Sequence, residues 1–196
     1  MGDIKSAREI AMEKVEKLDE VTDEERLKWK YVPEGERLAA GYLKQDCNLV
    51  VELGKYEDKV RRYIVEGVGE VLIRNIDLPV SDLAKRNSKR AMDGLKILKS
   101  DKVAVENVYS KIRSISNHYV EQGEQQKKQA YESLKAEFGA KMQKALQQQF
   151  GSSVGVEMDV EGQPQFQEEW RRLQIQIDSQ YLKLLEENKQ ELSSIT

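Results

Sequence analysis

Apolar residues recur every three or four positions along most of this chain, and that spacing fits few structures other than amphipathic α-helices. Val105, Val108, Ile112, Ile115 and Tyr119 alternate threes and fours in heptad fashion. Leu83, Met92, Leu95 and Leu98 mark a second stripe, and Phe166, Trp170, Leu173, Ile177, Tyr181, Leu184 and Leu185 a third. The composition agrees: 39% hydrophobic and 34% charged residues support helices that bury one stripe and wet the rest better than a thick globular core.

Prolines, caps and glycines divide the pattern. Ile4, Ala7, Ile10, Ala11, Val15 and Leu18 predict a helix over 3–19 with Asp3 as a candidate N-cap. Thr22 and Glu25 form a capping box for a short helix ending at Tyr31–Val32, because Pro33 disfavours helix in the residue before it. Pro33 then suits the first position of one long helix reaching Arg74, carried by Ala39, Leu43, Val50, Leu53, Val60, Ile64, Val68 and Val71. NIDLP at 75–79 reads as a turn, with Ser81 or Asp82 capping a helix over 82–99 and Ser100 or Asp101 capping the next. The run EQGEQQKKQ at 121–129 holds no apolar residue, so it is either a helix polar all round or a hinge. Glutamine is rich only beyond this point and favours helix there. Val154, Val156, Met158 and Val160 alternate at period two, the mark of a half-buried strand.

The prediction is therefore an all-α protein: an elongated antiparallel helical bundle or coiled-coil hairpin with a short β-like excursion near 153–161. Residues 1–120 would form an N-terminal helical bundle and 130–196 a C-terminal helical hairpin, with the boundary near 121–129.

Chemistry is sparse. His118 is the sole histidine and Cys47 the sole cysteine, so no His/Cys zinc set and no internal disulfide can form. A thiol hydrolase would need those two residues to meet in space; a buried small hydrophobe and a packing histidine are the plainer readings. EGVGEV lacks the Lys-Ser/Thr ending of a phosphate loop, and Glu-x-x-His pairs for a di-metal bundle are missing. No catalytic residue, cofactor or metal is expected. MGDIKS fits the myristoylation pattern formally, but its acidic surroundings oppose anionic lipid. Without an apolar run of about 18 residues or a signal-peptide core, no membrane partner is expected and the cytoplasm is the default location.

Charge is unevenly placed. Residues 1–25 carry nine acids against four bases, and residues 81–118 nine bases against four acids. Within DLAKRNSKRAMDGLKILKS, Lys85, Arg86, Lys89 and Arg90 converge on adjacent helix faces, where Asn87 and Ser88 could add phosphate hydrogen bonds. No aromatic residue interleaves them and the chain is acidic overall, with a net charge of −3, so nucleic acid is possible but not favoured. A solvated face, or a dock for the acidic N-terminus, is the plainer account of these charges. The stronger pattern is the apolar stripe of the C-terminal third. Its helices would zip against each other, leaving Ile175, Leu182 and Leu192 for a further partner.

QAYESLKAEFGAKMQKALQQQFG (129–151) and PQFQEEWRRL (164–173) resemble segments of an uncharacterised bacterial family of helical proteins, a domain of unknown function. The resemblance covers most of the chain and implies a bacterial cytoplasmic origin, with no activity attached. The functional expectation is a non-enzymatic scaffold or adaptor that contacts a protein partner or itself as a homo-oligomer, through Phe166, Trp170, Leu173, Ile177 and Tyr181. The alternative is a factor associated with nucleic acid or the ribosome through Lys85, Arg86, Lys89 and Arg90.

Overall fold

The computed structural model describes residues 22–150 and 159–195. Among them every regular element is a helix and no strand occurs, so the fold is all-α. The expected helix over 3–19 lies outside the described residues, as do Val154, Val156 and Met158 of the expected strand. The α-helices are α1 (Asp23–Leu43), α2 (Leu49–Leu53), α3 (Asp58–Arg74), α4 (Asp82–Leu98), α5 (Lys102–His118), α6 (Glu124–Phe150) and α7 (Pro164–Ser194), with a π-helical turn at Tyr119–Gly123 between α5 and α6. Contacts divide the described residues into a first unit, 22–75 with 90–98, and a second, 76–89 with 99–150 and 159–195.

In the first unit, α1 opens with the expected capping box. Thr22 Oγ1 accepts from the Glu25 N–H, and Glu25 Oε2 accepts from the Thr22 N–H at 2.9 Å. The expected stop before Pro33 is wrong, because α1 runs through it to Leu43. Pro33 and Trp29, whose carbonyl loses its partner N–H, both lie on the exposed side of the helix, while Gly35 and Ala39 are buried on the other. Burial of that inner face holds the helix together across the proline.

The single long helix expected from Pro33 to Arg74 is also wrong. Gln45 adopts a left-handed backbone with φ 70°, and Asn48 Oδ1 caps α2 by accepting from the Val50 and Val51 N–H groups. Gly54 ends α2, and the Arg61 guanidinium binds the Leu53 and Tyr56 carbonyls at 3.1 and 3.0 Å. Leu43 and Val50 stand seven residues apart, so the helical period passes straight over the break and conceals it.

The tightest packing in the unit is backbone against backbone. A Cβ on Gly35 would sit 2.2 Å from the Ile64 carbonyl oxygen, and one on Gly67 2.2 Å from that of Val32. Only glycine permits α1 and α3 to approach so closely. Around the crossing, Ala39, Leu53, Tyr63, Ile64, Val68 and Leu72 are buried with Ala91 and Leu95 from the second half of α4.

In the second unit, α5, the π-turn and α6 follow one another without a break, so residues 121–129 are helical. α7 runs antiparallel to them: Lys111 pairs with Glu191, Tyr119 with Asp178, and the Tyr131 ring meets Trp170. Asp101 caps α5 and Ser81 caps α4, as expected.

Gly67→Ala should destabilise the first unit by about 2–3 kcal/mol through overpacking. Gly69→Ala, whose Cβ would meet nothing closer than Leu98 Cδ1 at 4.0 Å, should instead stabilise it by up to about 1 kcal/mol. Urea titrations of the two variants, read by circular dichroism, check both signs.

Candidate functional site

The C-terminal stripe divides by depth. Phe166 is buried, with edge-to-face contacts to Tyr131 and Phe138 at 5.6 Å each. Tyr181 is buried too; its hydroxyl lies 3.0 Å from His118 Nδ1 and its ring meets Tyr119 at 5.1 Å. Leu192 is fully buried. Trp170, Leu173 and Ile177 are half-buried, so they retain surface that Phe166 and Tyr181 have spent inside the unit.

The π-turn decides which side chains meet α7. The Glu124 N–H donates to the Tyr119 carbonyl five residues back, so the turn holds one residue more than an α-turn. Tyr119 and Tyr131 both face α7 although twelve residues separate them. In a regular helix that spacing is about a third of a turn out of phase; with one residue absorbed it is within about 20° of three full turns. Gly123 makes the turn fit, because a Cβ there would lie 3.0 Å from the Tyr119 ring and 3.3 Å from that of Tyr181.

The same shift carries Lys127 into the seam. Its ammonium donates to the Tyr119 hydroxyl, pairs with Asp178 Oδ1 at 2.9 Å, and lies 4.8 Å from the centre of the Tyr119 ring. The Tyr119 hydroxyl in turn donates to Asp178 Oδ1 at 3.0 Å. The Lys127 side chain is only 13% exposed. Burial pulls its ammonium down, but the bonds to Asp178 and Tyr119 more than reverse that and hold it above the ordinary lysine value. Burial likewise pushes the Tyr119 phenol up; the Lys127 bond opposes this and the bond to Asp178 adds to it.

Beside this network opens a cleft of about 420 Å³, lined by Val80, Tyr119, Glu124, Lys127, Lys128, Tyr131, Trp170 and Gln174. Of these, only Trp170 is legible in the sequence as a contact residue. The missed signal is the twelve-residue gap between Tyr119 and Tyr131, where a straight helix demands eleven.

The basic stretch is less uniform than its sequence. Lys85, Arg86 and Lys89 are exposed on α4, with Lys85 3.8 Å from Asp82. Arg90 is half-buried; its Nε donates to the Tyr42 carbonyl and its guanidinium stacks 4.6 Å from the Tyr42 ring centre. The Ser88 hydroxyl is engaged by the Asp77 backbone at both N–H and carbonyl.

Cys47 donates to the Leu38 carbonyl at 3.8 Å, and burial pushes its thiol up, away from the thiolate that a nucleophile needs. Among the described residues no group of three or more His, Cys, Asp or Glu is placed to hold a metal ion, and no helix is long and apolar enough to cross a membrane.

Lys127→Met should lower stability by about 2 kcal/mol at neutral pH, between the values for exposed and buried ion pairs. Both raised groups place their linkage in alkali. Stability held below the unfolded values of about 10 is lost as pH rises past them, and the loss should be shallower in Lys127→Met. Urea midpoints from pH 7 to 11 test this.

Residues 50–194 match the family of unknown function DUF6657. The match takes in the π-turn, the cleft and the basic stretch, and begins after α1. No curated protein and no solved structure matches the chain.

Proposed function

The chain belongs to this family of unknown function, and we propose from its surfaces that it is a non-enzymatic helical scaffold or adaptor that associates with itself. One observation carries the reading. Ile175 and Leu182 are 62% and 44% exposed on α7, away from the line of Phe166, Tyr181, Leu185 and Leu192. Seven residues bring a helix back to within about 20° of its starting direction, so the two form one apolar stripe. A stripe of two such residues is self-complementary. In an antiparallel two-fold contact, Ile175 of one copy meets Leu182 of the other, and the reciprocal pair forms at the same time. The half-buried Leu173 and Ile177, expected from the sequence to contact a partner, lie about half a turn round the helix from this stripe, among its inward positions.

A second reading, association with a polyanion, draws support from Lys85, Arg86 and Lys89. They remain exposed together, while Arg90 is turned to Tyr42 and would contribute little. The two readings differ in salt dependence, since burial of apolar area persists in high salt and phosphate contacts do not.

Sedimentation of the purified chain at low and high salt tests this. A dimer that survives high salt and dissociates in Ile175→Glu/Leu182→Glu supports the scaffold reading. A monomer at all salts and concentrations overturns it. Nucleic acid that co-purifies at low salt only, and is lost in Lys85→Glu/Arg86→Glu/Lys89→Glu, supports the second reading in its place.

A further inference from the structure

The cleft beside the π-turn is not needed for self-association through α7, and its lining has a chemistry of its own. Tyr131 and Trp170 stand at 73° to each other with ring centres 5.0 Å apart, forming an aromatic corner. Val80, 62% exposed, supplies an apolar side to the same space. The polar groups there are mostly donors. Lys127 is already satisfied by Tyr119 and Asp178. Among the described residues, the Lys128 ammonium, the Gln174 side chain and the Trp170 indole N–H have no hydrogen-bond or ion-pair partner. Glu124 is the one carboxylate among the lining residues and lies 3.5 Å from the Lys127 ammonium, while Asp178 and Glu161 behind the lining are bonded to Lys127 and to the Tyr131 hydroxyl.

Unspent donors around an aromatic corner call for an acceptor attached to a flat apolar body. A cleft of about 420 Å³ falls in the usual range for small-molecule sites. We infer that this cleft binds a small planar organic carboxylate. Its ring lies against Trp170 and Tyr131, where face and edge contacts are both available. Its carboxylate takes charge-assisted hydrogen bonds from Lys128 and bonds from Gln174 and the indole N–H. Glu124 disfavours a second negative charge on the ligand, so the site selects monoanions. Tyr119 and Lys127 close the floor, and they reach it only through the π-turn, a distortion that recurs at functional sites.

The test uses the full chain and 2-naphthoate. Two molecules of matching shape serve as controls: neutral 2-naphthamide and cationic 2-naphthylmethylamine. Calorimetry measures affinity, and the indole N–H signals in ¹H–¹⁵N spectra locate binding, with Trp29→Phe assigning the Trp170 signal. The expected result is a saturable shift of the Trp170 signal by 2-naphthoate. Its affinity should exceed that of the amide by about tenfold, the size of one hydrogen bond to a charged group. Lys128→Glu changes an exposed residue and should remove that advantage, weakening 2-naphthoate more than the amide. Three outcomes overturn the inference: no saturable shift, equal affinity for all three compounds, or heat of binding without movement of the Trp170 signal. Because sedimentation of Ile175→Glu/Leu182→Glu reads a different face of α7, failure of one proposal leaves the other standing.

Discussion

The second unit depends on a phase correction. α7 is long and straight in pattern, and its inward residues recur as a helix requires: Phe166, Trp170, Leu173, Ile177, Tyr181, Leu185 and Leu192. The segment opposite it is out of phase with itself. Val105, Val108, Ile112 and Tyr119 keep one period and Tyr131, Leu134 and Phe138 another, twelve residues on from Tyr119. Without correction, seating the first set on α7 would turn the second toward solvent. The π-turn at Tyr119–Gly123 absorbs one residue and brings both sets onto the same face. The apolar and aromatic area recovered along α6 compensates for the poorer hydrogen-bond geometry of that one turn.

That correction also explains why a run with no apolar residues can be helix. EQGEQQKKQ has no stripe, yet Gly123 and Lys127 are its inward positions, and neither looks like core in a sequence. Gly123 is inward because two tyrosine rings leave no space for a Cβ. Lys127 is inward because Asp178 and the Tyr119 hydroxyl bind its ammonium, which lies over the Tyr119 ring. Periodicity arguments count apolar residues, so they cannot register an inward glycine or a paired lysine.

The same limit separates what was legible elsewhere from what was not. Local signals read well: the Thr22–Glu25 box and the Ser81 and Asp101 caps are where the residues place them. Signals that a distant contact overrides read badly. Pro33 reads as a boundary until Gly35 is seen pressed on the Ile64 carbonyl. Gln45 reads as an ordinary helix residue until its left-handed backbone turns the chain. The basic stretch reads as a patch of four until Arg90 is found stacked on Tyr42. The cleft was illegible altogether, because its walls come from the 76–81 turn, α6 and α7 and meet only through the corrected phase.

Unlike the more exposed Lys111–Glu191 pair, the half-buried Lys127–Asp178 pair contributes less to stability than to register. Lys127 can reach Asp178 only with the extra residue in place and α7 in its present alignment. A slip of α7 by one residue would leave the ammonium facing an unpaired environment, and relaxation of the π-turn would rotate it out of the seam by about 100°. Either error strands a half-buried carboxylate at Asp178, which costs more than a lost apolar contact. The apolar residues along α6 and α7 would tolerate several alignments, since leucine, tyrosine and phenylalanine pack adaptably against one another. The Lys127–Tyr119–Asp178 network does not. It selects, among nearly equivalent apolar pairings, the one in which Tyr119, Tyr131 and Trp170 open on the same cleft.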